Sequence, residues 1–132
     1  MGAWGVGNFE NDDALDFLGE IEDEGEGAIQ DIIQEVAETG PEDSLEAGEA
    51  SRALAAIEIL AAANEKMAHD FPEDLKAWLN KTNYQPEEDL YPLAQKALER
   101  IKADNSELKE LWTEDGDDEW EAIVDDLYTR IT

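Results

Sequence analysis

Carboxylates are the side chains best placed to do chemistry in this chain. Asp12 and Asp16 stand four residues apart, a spacing that puts two hard oxygen donors on one face of a helix, as a divalent cation requires. TEDGDDEWE gathers Asp115, Asp117, Asp118 and Glu119 around Gly116. Neither run has the alternating ligands, central glycine and closing glutamate of an EF-hand loop. Metal ligation is therefore assigned to Asp12 and Asp16 alone, weak nonspecific Ca²⁺ or Mg²⁺ association is expected of so acidic a surface, and no other cofactor is expected. Two carboxyl groups can also share acid and base work across a glycosidic bond. With 36 Asp and Glu among 132 residues, such pairs arise everywhere by chance, and none is marked as catalytic. His69 is the single histidine and there is no cysteine, so a structural zinc site lacks ligands. No motif joins His69 to Ser51 or Thr82 as a triad. Near the end of a predicted helix, it suits capping or the surface.

The opening MGAWGVGNFENDD presents a second candidate, an anion cradle built from Gly2, Gly5 and Gly7. A dinucleotide fingerprint needs a further glycine where Glu10 stands, a phosphate loop needs a lysine, and Glu10, Asp12 and Asp13 would repel phosphate. The favoured reading is a hook: glycine lets the backbone turn so that Trp4 and Phe9 enter the core, each burial worth roughly 1.5–3 kcal/mol.

Charge narrows the partner classes. Nine Lys and Arg against 36 Asp and Glu give a net charge of −27. Nucleic acid and anionic membrane both draw affinity from basic side chains, so neither is expected as a partner. The imbalance is uneven: residues 1–51 hold sixteen acids and no base. Yet 42% of the chain is apolar or aromatic, and those residues fall in register, which speaks for folding over disorder. No basic, apolar leader and no bilayer-length apolar run is present, so a cytoplasmic location is expected.

The elements that must carry these groups follow a helical period. After Asn11 as N-cap, Ala14, Phe17, Leu18 and Ile21 form one stripe; EDEGEG breaks it; Ala28, Ile29, Ile32, Ile33 and Val36 form the next. TGPEDS is a stop and restart. From about Leu45 to Ala68 an alanine-rich segment without a wet face predicts one long helix at the centre of the bundle. Leu75, Trp78 and Leu79 face inward from a short helix that tolerates Pro72 in its first turn. Leu93, Ala94, Ala97, Leu98 and Ile101 line a helix after Asp89; Leu108, Leu111 and Trp112 line one capped by Asn105 or Ser106. Trp120, Ile123, Val124, Leu127, Tyr128 and Ile131 define the last. The expectation is one all-α domain over residues 1–132, a compact bundle of about six or seven short helices with a glycine-rich N-terminal hook.

MGAWGVGNFENDDALDF resembles the opening of an uncharacterised bacterial domain-of-unknown-function family whose members begin MGxWGxGxFxND. The resemblance continues through EASRALAAIEILAAA, FPEDLKAWL and DNSELKELWTE, covering essentially the whole chain. It implies a small helical cytoplasmic protein and carries no activity, cofactor, partner or catalytic residue with it.

The leading functional expectation is a non-enzymatic, acidic interaction protein, an inhibitor or immunity-type partner of a basic protein. Its contact face is assigned to Asp16, Glu20, Glu22, Asp23, Glu24, Asp31, Glu35 and Glu38. One alternative is a carboxylate-based metal-binding or enzymatic module centred on Asp12 and Asp16. Another is an acidity that serves only adaptation to a salt-rich host. Oligomeric state is left open.

Overall fold

A computed structural model describes residues 12–40, 42–67, 71–103, 105–114 and 119–132. The proposed hook with Trp4 and Phe9, the cap Asn11, His69, and Asp115, Asp117 and Asp118 lie outside the described residues. Among the described residues seven helices follow one another: α1 Asp12–Glu24, α2 Glu26–Glu38, α3 Ala47–Ala63, α4 Glu73–Thr82, α5 Leu90–Lys102, α6 Glu107–Glu114 and α7 Glu119–Arg130. The all-α bundle expected from the apolar spacing is what forms.

The helical stripes become the core. Ala14, Phe17 and Ile21 of α1 and Ala28, Ile29, Ile32, Ile33, Val36 and Ala37 of α2 are buried. Between these helices stands one residue, Gly25: its N–H closes α1 on the Ile21 carbonyl (2.8 Å), and its φ of 78° turns the chain so that it restarts as α2. A side chain at that angle is strained, which is why glycine serves both as the stop of α1 and as the N-cap of α2.

Helix α3 occupies the centre. Every residue from Ala53 to Ala62 is buried, so the helix is enclosed on all sides. Its alanines let α1, α2, α5, α6 and α7 all approach it. The long helix expected to run to Ala68 ends earlier, at Ala63. Lys66 N–H bonds the Ala61 carbonyl (2.8 Å) and Glu65 N–H the Ala62 carbonyl (3.0 Å), with Glu65 at φ 63°. These two bonds form a Schellman ending. It was hidden because the left-handed position carries glutamate where glycine is usual.

Two arginines fasten the layers. Arg100 of α5, buried at 7% exposure, donates to the carbonyls of Thr39 (3.1 Å), Gly40 (3.3 Å), Asp43 (2.5 Å) and Asn105 (3.3 Å). One guanidinium therefore satisfies carbonyls of both the α2–α3 and α5–α6 connections. These connections also pair directly: Leu45 N–H bonds Asn105 O (2.8 Å) and Glu107 N–H bonds Leu45 O (2.9 Å). Ser106, one of the two expected caps of α6, accepts from Lys109 N–H at 3.5 Å. Arg130, at the end of α7, grips Glu58 of α3 with both guanidinium arms, 2.6 and 3.0 Å from the two carboxylate oxygens. The Glu58 side chain is 4% exposed. Its hydrogen bonds and charge hold the Arg130 guanidinium above its ordinary pKa, against the opposing effect of burial.

Candidate functional site

Packing decides where the acids of the opening helices point. Because α1 and α2 each give one stripe to the core, the residues between those stripes face water. Asp16, Glu20, Glu22, Asp23 and Glu24 of α1 and Asp31, Glu35 and Glu38 of α2 are all exposed. All eight residues of the predicted contact face are exposed on two adjoining helices, with Glu22 in a cleft it shares with Asp74, Trp78 and Lys81 of α4.

Four of the nine basic side chains are engaged away from these acids. Lys76 pairs with Glu73 at 3.2 Å, Lys102 with Asp125, and Arg130 with Glu58 and Asp126. Each of these pairs is made within α3 to α7, and no ion pair among the described residues uses an acid of α1 or α2. Arg100 directs its charge at the connecting carbonyls. The acids of the first two helices thus project their field into solvent outside any described ion pair, with Lys81 in the cleft beside Glu22 and Arg52 near Glu49 as the neighbouring bases.

At the edge of this face α2 meets α3, and the like charges interact. Burial raises the pKa of Glu49 of α3 most, followed by the negative charge of Glu35 and a hydrogen bond with it; Glu46 adds to the shift and Arg52 opposes it.

Asp12 and Asp16 lie on α1, both exposed. Among the described residues no group of three or more His, Cys, Asp or Glu is arranged to hold a metal ion. Trp120 is buried at 3% exposure, while Trp78 and Trp112 pack against the core part-exposed.

Some features are not evident in the sequence. Glu58 looks like a blemish in an apolar run, and only the fold shows its partner seventy-two positions away. Its isolation within ALAAIEILAAA was the available signal, since a charge enclosed on all sides requires a counter-charge. Tyr84 likewise carries no sequence signal. Its ring stands 5.5 Å from that of Trp78, tilted by 53°, and burial, then the charges of Glu26 and Tyr91, push its phenol pKa upward.

An all-helical bundle is the class of protein this fold defines. The profile of the domain of unknown function DUF4259 matches residues 2–122, and the chain belongs to that family. No curated protein and no solved structure shows significant similarity to it. No helix among the described residues is long and apolar enough to cross a membrane.

Proposed function

We propose that the protein is a cytoplasmic, non-enzymatic interaction protein that uses the outer face of α1 and α2 to engage a basic protein, in the manner of an inhibitor or immunity factor. The supporting observation is that Asp16, Glu20, Glu22, Asp23, Glu24, Asp31, Glu35 and Glu38 are exposed and outside the described ion pairs. Two unit charges about 10 Å apart in water repel by about 0.4 kcal/mol before screening, so a dense set of them costs stability. A basic partner relieves that repulsion on binding, which adds approach rate and selectivity more than raw affinity.

The test is affinity capture from extract at low salt with the wild type and with a variant carrying amides at those eight positions. The reading expects one basic protein retained by the wild type, released by high salt and lost to the variant. Equal retention by both proteins, or none by the wild type, overturns it.

A further inference from the structure

Three clefts open around α4 and its neighbours, and their linings differ in how far basic residues offset the acids. The cleft beside Trp78 has Glu22, Asp74 and Lys81 on its walls, and another beside Met67 includes Lys76. The third, about 190 Å³, lies between the start of α2 and the α4–α5 connection and has no basic residue in its lining. Its apolar walls are the Tyr84 ring, Leu90 and Leu93; Glu26, Glu87 and Asp89 supply carboxylates. Gln30 and Gln85 add side-chain amides.

Two helices, α2 and α5, begin here, at Glu26 and Leu90, and helix starts ordinarily attract anions. Each contributes the equivalent of roughly half a positive charge. Three carboxylates outweigh both together, so the cleft prefers a cation. Its volume is below the roughly 300 Å³ at which small-molecule pockets begin, a size for one side chain rather than a free metabolite. An aromatic residue, an apolar wall and several acceptors together match the flat, weakly hydrated guanidinium on its methylene stem better than the compact ammonium of lysine.

We propose that this cleft receives an arginine side chain of the basic partner, the anchor around which the α1–α2 field orients that protein. The proposal rests on the functional reading above and adds to it the chemistry of the contact.

The probe is N-acetyl-arginine-amide, titrated into the full chain and followed by two-dimensional amide NMR, with N-acetyl-citrulline-amide as its neutral isostere. Saturable shifts are expected at Glu26, Tyr84, Leu90 and Leu93 with the arginine probe, at least tenfold weaker binding of the citrulline probe, and the same loss in Glu87→Gln/Asp89→Asn. That double variant is conservative: both sites are exposed, Asp89 makes no side-chain cap bond, and asparagine serves equally as an N-cap. Shifts of equal size along all of α1 and α2, or an unchanged response in the double variant, overturn the proposal. If the cleft fails this test while capture by the eight acids persists, the anchor is wrong and the functional reading stands. Arginine binding without capture of any basic protein keeps the cleft as an arginine site and overturns the functional reading.

Discussion

Replacing Arg130 by methionine probes the α3–α7 junction, together with the exposed bonds of Arg130 to Asp126 and to the Lys66 carbonyl. The substitution keeps much of the apolar stem but leaves the Glu58 carboxylate, 4% exposed, without the two guanidinium bonds at 2.6 and 3.0 Å. Breaking a buried ion pair on one side costs about 3–5 kcal/mol. Arg130 is itself 16% exposed, so water reaches the gap more readily than in a sealed core, which favours the low end, about 3 kcal/mol. With a urea dependence of about 1.5 kcal/mol per molar for a domain of this size, the midpoint falls by about 2 M. Urea unfolding followed by far-ultraviolet circular dichroism measures it. Glu58→Leu/Arg130→Met, which removes both charges and retains apolar volume, is expected within about 1 kcal/mol of wild type, because the desolvation cost of the pair disappears along with its attraction. A loss below about 1 kcal/mol in Arg130→Met, or a double variant as unstable as the single, refutes the reasoning.

Glu65→Gly removes a side chain from a left-handed position, worth about 1–2 kcal/mol, against about 0.4–1 kcal/mol of unfolded-chain entropy; a net gain of about 0.5–1 kcal/mol in thermal unfolding is expected, assisted by loss of a negative charge at a helix C-terminus. Glu49 has a raised pKa when folded, so the folded state holds its proton more tightly than the unfolded chain and stability rises as pH falls through that pKa; Glu49→Gln should stabilise the protein at pH 7 and give no such gain below the ordinary value of 4.5, as urea midpoints at the two pH values would show. Arg100→Lys keeps the charge but replaces the fork that reaches four carbonyls with a single ammonium, and about 3 kcal/mol should be lost in urea unfolding as connecting carbonyls go unsatisfied.

The fold was legible wherever apolar residues kept a three-and-four rhythm. The α2 stripe of Ala28, Ile29, Ile32, Ile33 and Val36 is buried residue for residue, and at the other end Trp120, Val124, Leu127 and Ile131 are buried while Ile123 and Tyr128 of the same stripe stay half-buried, because amphipathic period is a local property of the chain. The early end of α3 was not legible, since Glu65 adopts a conformation its residue type disfavours, and tertiary packing overrides that preference. Arg100 and Glu58 were illegible as fasteners for a different reason: their partners lie far along the chain, and charge alone does not say which acid or carbonyl a base will meet. The exposed acids of α1 and α2 were readable because an amphipathic helix that buries one stripe must present the other. The cleft at Tyr84 was not, because it joins the start of α2 to a connection more than fifty residues later.

The central claim, that the unneutralised acids of α1 and α2 steer a basic partner, is tested most directly by the ionic-strength dependence of association rate. The basic protein captured by the wild type should bind it with a rate constant that falls steeply between low and physiological salt. With amides at Asp16, Glu20, Glu22, Asp23, Glu24, Asp31, Glu35 and Glu38, binding should be slower and its salt dependence much flatter, with helicity unchanged. A rate that is insensitive to salt in the wild type, or identical in the two proteins, contradicts the account.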